Sequence, residues 1–427
     1  MPFRRLLLSV LPALALPVGA AGLAETERQI VTAVDARAAV WVPLLAETVD
    51  VQSATENLAG VRAVGAIYAR EYRTLGFETT WVDVPESMQR GGHLVATHAG
   101  RAGAPRLLLI GHLDTVLQGE PFRREGDRGY GSGASDMKGG NLVALEAVRA
   151  LAAADALHDV SLTVVYTGDE EEPGEPVPAA REALMQAAAQ SDVALGFEGA
   201  APGKAVTGRR GISEWRLRVT GSQGHSSGIF SDERGYGAIL EAARILDRFR
   251  TELREPNLTF NPAVIVGGTE VGYASATRSG TALGKTNVIP REVRVEGDLR
   301  FLGAAQLESA HRKMQDIVAA SLPRTSATLE LIASYPSMAP NPGSERVLGV
   351  FDAVSRDLGA GPVAAQPPME RGAGDIAFVC GDGRLACLDG LGALGDQEHA
   401  PGEFLELDAL PLQVKRAALL IYRLSRG

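Results

Sequence analysis

Three short apolar runs constrain the fold of this chain more than any other feature: Arg106–Ile110 (RLLLI), Val160–Tyr166 (VSLTVVY) and Val193–Phe197 (VALGF). Runs of this length with no polar alternation mark strands covered on both faces. Between them lie stretches with helical spacing, such as Asn141–Ala153. Upstream, Val61, Val64, Ile67, Tyr68, Tyr72 and Leu75 recur at helical spacing before Gly76, a helix stop, and Phe77–Val84 reads as a strand. Strand–helix alternation predicts an α/β fold with a mostly parallel sheet flanked by helices. The chain has 427 residues, too many for one ordinary core, so two domains are expected.

The middle of the chain follows another rhythm. Trp215, Leu217 and Val219 alternate with charged residues, as do Val293, Val295, Leu299 and Phe301. Such alternation marks half-exposed antiparallel strands. With helices expected at Gly237–Leu253 and Ala304–Ala320, residues 211–323 read as a smaller α+β module inserted into a larger domain of residues 25–210 plus 324–427. Further helices are expected near Ser344–Leu358 and Leu407–Leu424.

The first 24 residues read as a signal peptide. Met1–Arg5 carries positive charge, Leu6–Val18 is a short apolar run, and small residues around Ala20–Ala24 offer peptidase sites. Pro12 and Pro17 interrupt the run too often for a membrane anchor, so a periplasmic or secreted protein is expected. In an oxidising compartment Cys380 and Cys387 could pair, although two buried free thiols fit the sequence equally well. The net charge is −10 and no Lys/Arg-rich block follows the first residues, which argues against nucleic acid or an anionic membrane as the main partner. A small molecule or peptide suits this surface better.

The chemistry-bearing residues stand just past the apolar runs. RLLLIG precedes His112 and Asp114, VSLTVVYTG precedes Asp169 to Glu172, and VALGF precedes Glu198. Ligands of open α/β sheets bind beyond the carboxyl ends of the strands, so three independent placements agree. Asp136 in a glycine-rich loop and His399 in GDQEHAPGE extend the set. Two imidazoles and several carboxylates favour zinc over calcium or magnesium. A carboxylate set between two ions can bridge them, and paired ions suit hydrolysis. Asp114, two residues after His112, projects to the same side in an extended segment and can orient its imidazole. Gly129, Gly131 and Gly133 do not complete a nucleotide loop, because Ala134 or Asp136 stands where the third glycine belongs. His93, His98, His158 and His311 read as surface or structural residues.

Together GHLDTV, GSGASDMKGG, GDEEE, FEG and EHAPGE resemble the motifs of the M20 metallopeptidases, the glutamate carboxypeptidase and acetylornithine deacetylase group. The resemblance runs from about Glu25 to the C-terminus. It implies a zinc-peptidase-like larger domain, an inserted lid domain that mediates homodimerisation, and two Zn2+ ions per subunit. His112 and Glu198 would hold one ion, Glu171 and His399 the other, with Asp136 bridging. Glu170 would be the general base and Asp114 the carboxylate behind His112. The acidic run also admits a register shifted by one, with Glu171 as base and Glu172 as ligand. By the same resemblance His225, in TGSQGHSSG, reaches the partner subunit's active site and stabilises an oxyanion, while Asn287 and Arg300 bind the substrate's carboxylate. The implied reaction is hydrolysis of an amide next to a C-terminal amino acid such as glutamate. The alternatives are an N-acyl amino acid deacylase with the same metals and a metal-binding protein without catalysis. A spare acid beside the ligands, Glu170, argues against the last.

Overall fold

The computed structural model describes residues 22–426, so most of the expected signal peptide lies outside the described residues. The larger sheet takes five strands from the first part of the chain: β1 (Glu78–Val82), β2 (His93–His98), β3 (Arg106–His112), β4 (Ser161–Thr167) and β5 (Val193–Gly196). A second sheet follows, β6 (Gly211–Gly221), β7 (Thr259–Gly268), β8 (Glu292–Phe301) and β9 (Thr325–Tyr335), and β10 (Ala386–Leu388) then returns to the larger sheet. The larger sheet has the order β1-β2-β4-β3-β5-β10. β4, β3, β5 and β10 run parallel, with Arg106 opposite Ser161 and His112 opposite Thr167. β2 was not anticipated from the sequence; it pairs antiparallel with β4 and carries β1 at the edge.

Helices cover both faces of this sheet, which is why its central strands are apolar throughout. The long helices are α1 (Glu25–Arg37), α2 (Leu58–Arg73), α3 (Gly140–Ala153), α4 (Gly237–Glu252), α5 (Ala304–Ala319), α6 (Pro342–Asp357) and α7 (Leu410–Leu424). Leu107 and Leu109 of β3 face a core built with α1, α2, α3, α6 and α7. Leu108 and Ile110 face the opposite core, shared with Leu184, Ile376 and Val379. Local chemistry sets the helix ends. The Asn57 side chain accepts from Gly60 N at 3.1 Å to start α2, and Asn341 accepts from Gly343 N and Ser344 N to start α6. Gly76, with φ of 82°, ends the first of these in the left-handed conformation that glycine tolerates best.

The smaller sheet is antiparallel throughout, in the order β7-β8-β6-β9. α4 and α5 cover one face, burying Trp215, Leu217, Val219, Ile245, Phe249 and Met314 in a separate core. Its extent differs from the sequence expectation: the sheet does not stop at Pro323 but continues through β9, which pairs with β6 from Thr325 to Tyr335. The cause is a period-2 pattern, Ala327, Leu329 and Leu331, that lines the same core from a less apolar strand. Cys380 and Cys387, left open by the sequence, form a disulfide across seven positions.

Candidate metal centre

β3 ends on His112, whose side chain is almost fully buried. Its Nδ1 donates to the Asp114 main-chain carbonyl at 3.0 Å, which leaves Nε2 as the lone-pair nitrogen. That nitrogen lies 3.0 Å from Asp136 Oδ1 and 3.9 Å from Glu198 Oε1. On the other side, His399 Nε2 lies 3.1 Å from Asp136 Oδ2 and 3.3 Å from Glu171 Oε2. Asp136 therefore presents one oxygen to each imidazole. Ligating atoms of His112, Asp136 and Glu171 fall within 4.8 Å of one another. Glu172 points elsewhere, being exposed and paired with Arg90, so the acid that meets His399 is Glu171.

The Asp136 loop is shaped from two directions. Gly133 has φ of 77°, and a Cβ there would stand 2.4 Å from Thr115 Cγ2, so only glycine fits. Glu403 supports the loop from outside. Its carboxylate accepts from the backbone N–H groups of Gly133 at 2.7 Å, Ser135 at 2.8 Å and Asp136 at 2.9 Å. Beneath, Lys138 donates its Nζ to the Val51 carbonyl at 2.9 Å, and burial pushes its pKa down to about 7. Asp114 is the second organiser. It accepts from Thr55 Oγ1 at 2.7 Å, Glu170 N at 3.0 Å and Glu171 N at 3.1 Å, fixing the acidic run against His112.

The electrostatics of this cluster call for a cation. Burial, then Glu198, raises the Glu170 carboxyl well above its usual range. Burial and then Asp136 push Glu198 up to about 8, and burial likewise raises Glu171. Asp136 and Glu171 drive the His399 imidazole up to about 11. Burial alone would push the His112 imidazole down, but Asp114 and Asp136 outweigh it and set it well above the usual range. Burial opposes the charge of Asp136 too, yet the two imidazoles hold it far below ordinary carboxylates. Four carboxylates thus face two imidazoles in a poorly hydrated space. Among the described residues, Glu171 Oε1 is buried with no hydrogen-bond partner, an acceptor left over for a metal. Imidazole nitrogen and carboxylate oxygen are the donors zinc takes readily.

Three predicted residues lie apart from this cluster. His225 is exposed on the smaller module, with Nδ1 2.8 Å from Ser227 Oγ. Asn287 is exposed beside it, its carbonyl accepting from Ser226 N at 2.9 Å. Arg300 on β8 donates from Nε to Asp298 at 2.8 Å. Among the described residues, no hydrogen bond or ion pair of these three reaches the His112–His399 cluster. Other contributors escaped sequence reading. Glu403 stands four residues after His399 in a motif already singled out, but nothing local shows that it will meet a loop 270 residues upstream. Burial, then Asp136, raises the Glu398 carboxyl, Arg371 stands close enough to oppose that shift, and Glu398 accepts from Ser135 Oγ at 3.3 Å.

Residues 108–423 match the family described as Peptidase family M20/M25/M40. The chain is similar to carboxypeptidase G2 of Pseudomonas sp. (strain RS-16), 26% identical over 90% of this chain and 89% of that one. It is also similar to the succinyl-diaminopimelate desuccinylase of Xanthomonas campestris pv. campestris (strain B100), 28% identical over 75% of this chain and 84% of the relative. Among solved structures, the Bacillus subtilis YXEP protein, described as a dinuclear metal binding peptidase from the M20 family, superposes with a TM-score of 0.62 at 15% identity, covering 92% of this chain and 99% of that one. The family match spans most of the chain and includes every residue of the acid–imidazole cluster. The chain belongs to peptidase family M20/M25/M40 and is a hydrolase.

Proposed function

We propose that this hydrolase cleaves an amide bond next to a C-terminal amino acid such as glutamate, using two zinc ions that share Asp136. The observation that carries the reading is the split of the Asp136 carboxylate between two half-sites, His112 with Glu198 and His399 with Glu171. Those five residues would hold the pair. Bound there, the ions supply Lewis acidity and make an attacking water more acidic. Glu170 takes the proton from that water and passes it to the leaving amine, a role open to it because its side chain is engaged by no hydrogen bond among the described residues. Asp114 keeps the acidic run in place through the Glu170 and Glu171 amides. The likeness to carboxypeptidase G2 supports cleavage next to a C-terminal residue. For the substrate's carboxylate, Arg371 is a candidate beside Arg300, since a guanidinium binds a carboxylate through two parallel hydrogen bonds.

A homodimer formed through the smaller module belongs to the same reading. It is supported by the exposed His225 and by exposed apolar residues of the smaller module, Ile265 on the edge strand β7 at 60% and Leu283 at the end of the strand Ser279–Leu283 at 67%. Export is supported by the Cys380–Cys387 disulfide, since such bonds persist in oxidising compartments. Similarity to a desuccinylase keeps N-acyl amino acid deacylation as a second reading, separated from the first by comparing N-acyl-glutamates, dipeptides and N-acetyl amino acids as substrates. The test of the mechanism is turnover by Glu170→Gln protein that retains both metals. A collapse of kcat is expected, and a near-normal rate would remove Glu170 from the chemistry.

A further inference from the structure

The disulfide sits where it can act on the active site. Cys380 closes the short helix Ile376–Cys380 and Cys387 is the middle residue of β10, both almost fully buried. The bond staples a single loop, and each end of that loop carries a carboxylate. Asp375 comes just before the helix and Asp389 just after β10.

Asp375 accepts from Thr167 Oγ1 at 2.6 Å and from Arg181 Nε at 2.7 Å. Arg181, fully buried, donates from Nη1 to Asp169 Oδ1 at 2.6 Å and from Nη2 to the Asp169 carbonyl at 2.9 Å. Its Nη2 also reaches the Tyr335 hydroxyl at 3.2 Å, and that hydroxyl donates to the Glu170 carbonyl at 2.7 Å. Both peptide units around Glu170 are thus fastened to Asp375 through one guanidinium. At the other end Asp389 pairs with Arg209 Nε, and Arg209 Nη1 donates to the Gly372 and Ala373 carbonyls at 3.2 and 3.0 Å. Past Asp389, Gly392 N donates to the Glu198 carbonyl at 3.0 Å.

The elements bearing these carboxylates are five and three residues long, too short to hold themselves in register by their own hydrogen bonds. A slip of Asp375 would leave Arg181 as a buried charge without one of its two acids, a costly state that the Asp169–Glu170 segment would move to relieve.

We propose that the Cys380–Cys387 disulfide is a positioning device for the acid cluster, holding Asp375 so that Arg181 seats the backbone of Glu170, and holding the Asp389 end, braced by Arg209, so that Gly392 N meets the Glu198 carbonyl. This rests on the reading of Glu170 as base and Glu198 as ligand. The full chain is compared with C380A/C387A, D375N and the triple variant, each checked for metal content. Hydrogen exchange of the Glu170, Glu171 and Gly174 amides, bonded to Asp114 and Asp169, should speed by about tenfold in C380A/C387A while α3 amides stay unchanged. For the best substrate kcat should fall by about tenfold with KM held, and the triple variant should fall no further than D375N. Unchanged exchange at the three amides, a kcat within about twofold of wild type, or full additivity with D375N overturns the proposal. Wild-type protein inactive on every amide substrate would instead overturn the function reading, and the exchange measurement then decides the clamp alone.

Discussion

Replacing Glu403 tests whether the Asp136 loop is held from outside. Its carboxylate is almost fully buried and takes three backbone N–H groups at 2.7 to 2.9 Å. Each buried donor left without an acceptor costs about 1–3 kcal/mol. Glu403→Ala orphans all three, a loss of about 3–6 kcal/mol once partial entry of water is allowed for. Glu403→Gln is milder. Its carbonyl oxygen still serves Ser135 and Asp136, while its amide turns a donor towards Gly133, so one orphaned group costs about 1–3 kcal/mol. The loop is ordered for metal binding, so part of each loss appears as weakened affinity, tenfold for every 1.4 kcal/mol or so. Competition with a chromophoric chelator should show zinc affinity down about tenfold in the Gln variant and at least about a hundredfold in the Ala variant. Wild-type affinity in both, with unchanged thermal unfolding, would refute the claim that Glu403 shapes the Asp136 loop.

Asp114→Asn keeps the shape but weakens the acceptor for the Thr55 hydroxyl and the Glu170 and Glu171 amides, so zinc affinity or kcat should drop about 10- to 100-fold, read by metal titration alongside turnover. Stripping the metal leaves four carboxylates facing one another, and calorimetry should show a lower Tm that zinc restores by about 2.7 kcal/mol at a hundred times its Kd; a Tm indifferent to zinc speaks against the site. Losing the Cys380–Cys387 bond, which closes a loop of only seven positions, should cost about 2 kcal/mol in denaturant unfolding of the Ala/Ala variant, and a loss several times larger would mean the packing around it had collapsed too.

Much of the fold was readable because the central strands are covered on both faces, and continuous apolar runs such as RLLLI record that directly. β9 was harder to see, since only every second residue faces the core and Ser326, Thr328 and Glu330 stand between them. β2, with a His at each end, lacks the apolar run of its neighbours. In the site, His112, Asp136, Glu171, Glu198 and His399 were legible because each follows a strand end or sits in a distinctive loop. Glu403, Arg181 and Asp375 were not. They act by holding other groups, and a residue whose work is to accept an amide or seat a guanidinium from a distant segment leaves no local pattern. Arg300 pairs with Asp298 two residues earlier on the same strand.

The central claim is that one carboxylate, Asp136, is shared by two cations. Anomalous diffraction at the zinc edge from crystals of zinc-loaded protein tests it most directly. Two peaks about 3.5–4 Å apart are expected, one on the His112–Glu198 side of Asp136 and one on the His399–Glu171 side. A single peak, or peaks that do not flank Asp136, would contradict it.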